Sequence, residues 1–285
     1  MKRKNQEMIL QEKNYRLRDG HVLPLLEFSL YLEQSWMAHA FTTREGGRSE
    51  GMFSSLNLSF NRGDQKEHVM ENYRRISEAM GFSLSHIVTS DQTHTTHVRL
   101  VGEEDAGKGL TRARDYSDVD GLITNTPGLL LATFYADCVP LYFVDPKHRA
   151  LGLSHSGWRG TVQGMGAVTV QAMQESFGTD PMDLLCAIGP SICRDCYEVG
   201  QDVADAFAEK FAGQKETILT PRGQGKYQLD LWEANRRILQ MAGVRPEHIA
   251  VTNICTCCNA DTLFSHRASQ GKRGNLGAFL GIRVE

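Results

Sequence analysis

The sequence predicts a mixed α/β (α+β) fold in one domain spanning residues 1–285, on three observations. Continuous apolar runs at 129–135 and 139–144 are bounded by turn residues, as in strands buried on both faces. Other stretches, such as 64–80, place apolar residues three and four apart, as amphipathic helices do. The two patterns alternate irregularly, with no internal repeat, low-complexity segment or long linker. No G-x-G-x-x-G or Walker A pattern occurs, which removes Rossmann and P-loop readings.

In chain order, residues 1–20 are polar and basic and are expected at the periphery. A strand is expected at 38–43, followed by a Gly/Ser-rich loop at 44–51. The first helix spans 64–80, with Val69, Tyr73, Ile76 and Met80 as its stripe. Asp64 and Glu67 resemble a capping box, and Gly81 terminates the helix. Short strands follow at 87–89, 98–101 and 121–124, then the two central runs and a third at 150–154. A helix is expected at 161–177, with Val162, Met165, Thr169, Ala172 and Met173 on one face. A strand at 184–188 comes next, with Cys186 in the core. A helix at 201–211 repeats Val203, Phe207 and Phe211. Another begins at Asp230 and Glu233, turns Leu231, Ala234, Ile238 and Met241 inward and stops before Gly243. Strands at 249–252 and 278–282 close the chain.

Composition narrows the function. Apolar residues make up 41% and charged residues 23%, an ordinary globular balance. The net charge of −3 carries no basic excess, so neither a nucleic acid nor a membrane surface is expected as partner. The longest apolar stretch, 128–136, is far short of the ~20 residues that span a bilayer. Met1-Lys-Arg-Lys resembles a signal n-region, but no h-region follows, so a cytoplasmic protein is expected. Seven cysteines favour thiols and metal ligands over a disulfide framework.

The chemistry concentrates between Asp118 and Gly160. Asp137-Cys138 joins two predicted strands, and His155 ends a third, just before a Gly-rich turn that opens a helix. Strand ends beside helix N-termini are common site positions and favour anions. Alone, Cys138 reads as a small buried hydrophobe and His155 as a structural histidine; together they suggest a site. Gln92-Thr-His-Thr-Thr-His97 adds a second histidine. One Cys and two His give the ligand count of a catalytic zinc site, with one position open; a Cys–His nucleophile pair is the competing use. In an extended strand His94 and His97 point to opposite faces, and periodicity does not choose between them. A rival metal site would use Cys193-x-x-Cys196 and Cys255-x-Cys257-Cys258, although the second cluster fits the usual ligand gap poorly. Arg44, Arg159 and Arg267 sit in turn-like contexts and would hold phosphate if they converged.

These blocks resemble a known family. Thr42-Thr-Arg-Glu-Gly-Gly, Ser55-Leu-Asn-Leu and Gly63-Asp match its N-terminal signature. Gln92-Thr-His94, Asp118-Val-Asp-Gly, Ala136-Asp-Cys138 and His155-Ser-Gly-Trp-Arg-Gly160 match its central blocks. Ala187-Ile-Gly-Pro190, Cys196-Tyr-Glu-Val-Gly200, Cys255-Thr256 and Phe264-Ser-His-Arg267 match later ones. The chain thus resembles, over about residues 36–282, the laccase-domain family, also called the YfiH/YlmD or multicopper polyphenol oxidase type. The resemblance implies a four-layer α/β/β/α sandwich like the catalytic domain of a cytotoxic necrotizing factor. It implies a zinc centre on His94, Cys138 and His155, with His97 outside it, and Arg44, Asn57, Arg159 and Arg267 as substrate-binding candidates. Cys257-Cys258, Thr95 and the absence of a second Arg after Arg267 depart from the family pattern.

The activities the family implies are phosphorolysis of adenosine, inosine and methylthioadenosine, with deamination of adenosine. The partners are then purine nucleosides and phosphate, and a monomer is the starting expectation. A copper-dependent polyphenol oxidase is the alternative, but ten histidines without one His-x-His supply a trinuclear copper cluster poorly. Editing of peptidoglycan precursors and non-catalytic metal binding are the remaining readings.

Overall fold

The structure is a computed structural model and describes residues 1–284. The chain opens with β1 (Leu10–Arg16), β2 (Val22–Phe28), β3 (Met37–Thr42) and α1 (Lys66–Met80). Then come β4 (Ile87–Thr89), β5 (Val98–Leu100), β6 (Gly121–Thr124), β7 (Leu130–Tyr135), β8 (Val139–Asp145) and β9 (Ala150–Ser156). Helices α2 (Trp158–Gln163) and α3 (Met165–Phe177) lead to β10 (Leu185–Ile188), β11 (Glu198–Val199) and α4 (Gln201–Lys210). The chain ends with β12 (Leu219–Gly223), β13 (Lys226–Leu229), α5 (Leu231–Met241), β14 (Ile249–Val251) and β15 (Leu276–Ile282).

Two six-stranded sheets dominate, ordered β1-β2-β3-β15-β7-β4 and β14-β10-β8-β9-β6-β5. A third, three-stranded sheet is ordered β11-β13-β12, and its Val199, Leu219 and Leu229 pack in one apolar cluster with Phe207 of α4. Side-chain alternation explains why the central runs are apolar throughout. On β8, Tyr142 and Val144 enter an apolar cluster shared with Phe41, Leu131 and Leu280 of the first sheet. Leu141 and Phe143, one residue out of phase, enter a second cluster with Met173 of α3, Phe207 of α4 and Leu239 of α5. β7 divides likewise: Leu131 and Tyr135 face the second sheet, while Leu130 and Ala132 pack with Val69, Tyr73 and Ile76 of α1. Fully burying Val69 or Ile76 contributes about 1.5–3 kcal/mol each, which is what fixes α1 on the sheet.

Several expectations shift. The segment 1–20 is not all loose periphery: β1 is the edge strand of the first sheet, with Leu10 and Leu17 buried. Its polar residues hid it, because the strand is exposed along its middle and meets the apolar clusters only near its ends, through Leu10 and Tyr15. The capping box at Asp64 does not form, since α1 starts at Lys66; Asp64 instead accepts from Asn57 Nδ2 at 2.9 Å and from the Gln65 N–H at 2.8 Å. Gly81 does end α1, with φ 76°. The helix expected at 161–177 is two helices, because Gly164 adopts φ 84° and caps α2. On α5, Asp230 accepts from the Glu233 N–H as an N-cap should, but Met241 is 72% exposed and Leu239 takes the buried position. No helix among the described residues is long and apolar enough to cross a membrane.

Candidate functional site

The connection between β7 and β8 carries the chain from one large sheet to the other, and Cys138 is its last residue. Asp137 before it takes φ 87°, and its carboxylate accepts from the Thr256 hydroxyl at 2.6 Å and the Arg267 N–H at 2.7 Å. These bonds offset the cost of the left-handed backbone and aim Cys138. His155 lies near the end of β9, opposite Pro140 of β8. His94 arrives from the β4–β5 connection, where φ is 69°. That segment is a turn, so the extended-strand argument separating His94 from His97 does not apply. His97 nonetheless stays apart, with Nδ1 3.0 Å from the Asp118 carbonyl.

The ligand atoms of His94, Cys138 and His155 all lie within 4.8 Å of one another. The two imidazoles are edge to face, with centroids 4.9 Å apart. Asp120, fully buried, organises both histidines. Its Oδ1 is 2.7 Å from His155 Nδ1 and accepts the His94 N–H at 3.2 Å. Its Oδ2 accepts the N–H groups of Thr93 and Thr95, each at 3.0 Å. With Nδ1 of His155 bound to the carboxylate, Nε2 is left as the ligating nitrogen. Burial opposes ionisation of Cys138, but His155 and His94 outweigh it and bring the thiol down to about 6. Burial likewise opposes charge on His155, yet Cys138 and Asp120 raise it to about 9. Cys138 is therefore biased toward thiolate, the form that binds metal.

These donors suit one zinc ion, whose bonds to N and S are ~2.0–2.3 Å and whose fourth position a three-ligand site leaves open. Gly157 allows the close packing: a Cβ there would sit 2.9 Å from His94 Cδ2 and 3.3 Å from Cys138 Sγ.

All three residues line a cleft of about 500 Å³. Phe60 and Phe134 give it apolar ring faces, and Arg62, Arg114 and Arg273 give it positive charge. Arg114 is committed to Asp91 at 2.5 Å and to the Ser90 carbonyl at 2.8 Å. Arg273 is only 8% exposed, and its buried Nε has no hydrogen-bond partner. Burial and the neighbouring Arg62 pull its pKa down to about 10, so an anion would be welcome there.

The arginines singled out in the sequence are placed otherwise. Arg44 bonds the carbonyls of Ser54 and Ala260 and stacks on Phe264. Arg159 lies over Trp158. Arg267 bonds the carbonyls of Cys196 and Glu198. Asn57 is buried and ties Ser59, Asp64 and Asn275 together. None of the four lines the cleft. Sequence reasoning does not single out Asp120, Arg62 or Arg273. Asp120 lies inside a block that it does single out, whereas Arg62 and Arg273 carry no local pattern.

The family model described as multi-copper polyphenol oxidoreductase laccase matches residues 38–283. The purine nucleoside phosphorylase YlmD of Geobacillus stearothermophilus is 40% identical over 248 residues, covering 86% of this chain and 89% of that protein. Its Bacillus subtilis namesake is 38% identical, covering 85% and 87%. The crystal structure of the hypothetical protein YfiH from Bacillus licheniformis superposes with a TM-score of 0.87 at 35% identity, covering 91% of this chain and 96% of that one.

Proposed function

This chain belongs to the YfiH/YlmD-type laccase-domain family related to purine nucleoside phosphorylases, and from that premise we propose that it is a zinc-dependent purine nucleoside phosphorylase. Its substrates are adenosine, inosine and methylthioadenosine, it has adenosine deaminase activity, and it works as a cytoplasmic monomer. The α/β/β/α layering is part of the same reading, supported by the three apolar clusters.

The observation that carries the proposal is one cleft holding both a His–Cys–His donor group and a buried arginine, Arg273, whose Nε has no hydrogen-bond partner although its Nη1 donates to Gly274 and Asn275. Phosphorolysis needs a phosphate oxygen to attack the ribose carbon as the bond to the purine nitrogen breaks. The products are the base and ribose 1-phosphate. Arg273 and Arg62 would hold and orient the phosphate; Arg44, Arg159 and Arg267 are second candidates for that role. Phe60 and Phe134 would pack on the base. When bound, zinc supplies Lewis-acid polarisation of a substrate heteroatom. Asp120 keeps His155 in the ligating tautomer, and Cys138 serves as a ligand rather than as a nucleophile, so no covalent Cys138–substrate adduct is expected.

Copper-dependent phenol oxidation is weaker on ligand grounds. Among the described residues, only one group that could hold a metal combines histidine with cysteine. The deciding assay incubates protein of defined zinc content with inosine or adenosine, with and without phosphate. Hypoxanthine from inosine should require phosphate, whereas deamination of adenosine should not. Intact nucleosides alongside oxygen uptake on a phenol, in proportion to bound copper, would overturn the proposal.

A further inference from the structure

The parallel neighbours β10 and β14 both run into loops that carry a Cys-x-x-Cys turn. The loop after β10 holds Cys193-x-x-Cys196. The loop after β14 has irregular spacing if Cys257 is counted as a ligand, but the structure groups Cys255 with Cys258 and leaves Cys257 aside, which restores the two-residue gap. The Sγ atoms of Cys193, Cys196, Cys255 and Cys258 all lie within 4.8 Å of one another, and Cys196 and Cys258 are 3.5 Å apart. Cysteines 62 residues apart meet because a bridge joins Ser191 to Cys255 and the Thr256 N–H bonds the Ser191 carbonyl.

We propose that these four cysteines hold a structural zinc ion, at a site distinct from His94, Cys138 and His155. Four sulfurs from two Cys-x-x-Cys turns are the donor set of a closed tetrahedral zinc site, which leaves no position for substrate. The surroundings suit thiolates. Cys255 Sγ accepts the N–H groups of Cys193 at 3.3 Å and Cys258 at 3.4 Å. Lys4, paired with Asp195 at 2.8 Å, brings a positive charge to a group whose ligands would exceed the charge of the ion. The N-terminal segment is pinned alongside: the Lys2 N–H meets Asn259 Oδ1, and the Lys4 N–H meets the Asn253 carbonyl at 2.8 Å.

The site clamps what lies next to Cys138. Asp137 takes the Ile192 N–H on its carbonyl at 3.0 Å and the Thr256 hydroxyl on its carboxylate at 2.6 Å, one bond from each cysteine loop. Zinc on the four sulfurs thus supports the backbone that aims Cys138, and it takes no part in catalysis.

The test is metal counting by mass spectrometry on the full-length protein purified under reducing conditions, combined with cobalt substitution. Wild type should carry two zinc ions per chain, one for each donor group. Cys138→Ala should keep one, and its cobalt form should show the intense sulfur-to-cobalt absorption of a tetrathiolate. Cys258→Ser should lose that absorption, and Cys257→Ser should keep both ions. If Cys258→Ser does not fold, release of zinc from Cys138→Ala by a mercurial thiol reagent gives the same count without it. A folded Cys138→Ala protein without metal, iron in place of zinc, or a mass showing disulfides among these cysteines would each overturn the assignment.

Discussion

A single carboxylate ties the His155 imidazole to the backbone that carries His94. Asp120 bonds His155 Nδ1 and the His94 N–H through one oxygen and holds the Thr93–Thr95 turn through the other. Asp120→Asn keeps the shape but weakens the bonds that fix tautomer and turn. Zinc affinity at this centre should fall by about 10–100-fold, measured by competition with a chelator. An unchanged affinity would show that Asp120 is merely structural. A second residue-scale effect concerns acid stability. His39 is buried, its Nε2 accepts the Phe28 N–H at 2.7 Å, and burial lowers its pKa to about 4. The folded state therefore binds fewer protons than the unfolded one, whose histidine titrates near 6.5. The stabilisation is full above pH ~6.5 and lost as pH falls toward about 4, at a cost of roughly 3 kcal/mol. His39→Gln retains an acceptor and cannot charge, so its Tm should drop less between pH 7 and pH 4 than that of wild type; parallel Tm curves would contradict this. Cys138 and His155 were legible in the sequence because both stand at strand ends beside a glycine-rich turn. Arg273 was not, because its burial and its unsatisfied Nε exist only once the fold surrounds it.

The turn from β9 into α2 shows how an element boundary shapes the centre. Gly157 has an ordinary φ of −71°, so its requirement is space rather than conformation. Gly157→Ala should fold but push its new Cβ into His94, lowering zinc occupancy at the His–Cys–His centre with little loss of Tm; unaltered metal content would show that the loop yields. Gly164 is the opposite case, since φ 84° is what L-residues resist. Gly164→Ala should cost about 1 kcal/mol in chemical denaturation while leaving metal content intact. The same contrast explains what could be read from sequence. β7, β8 and β9 were visible because burial on both faces makes them apolar throughout. The hairpin of β1 and β2 was hidden, since its outer strand is exposed along its middle and meets the apolar clusters only through Leu10 and Tyr15 near its ends. The break at Gly164 was hidden too, because the apolar stripe runs on through it.

At the scale of the molecule, the centre exists because two sheets share an apolar interior and the chain crosses between them at Ala136–Cys138. Residues 94, 138 and 155 converge at that crossing from the β4–β5 connection, the β7–β8 link and β9. Periodicity predicts the strands but not the order β14-β10-β8-β9-β6-β5 that brings them together. The family resemblance distinguishes His94 from His97, and only the folded chain shows the cleft around His94. The activity proposed for this cleft is cleavage of purine nucleosides with phosphate. The most direct measurement is the product balance of an anaerobic reaction of zinc-loaded protein with inosine and phosphate, followed by chromatography. Hypoxanthine and ribose 1-phosphate should form in equal amounts, vanish without phosphate and vanish in Cys138→Ala. Inosine left intact without oxygen, with turnover appearing only when oxygen and a phenol are supplied, would contradict the account.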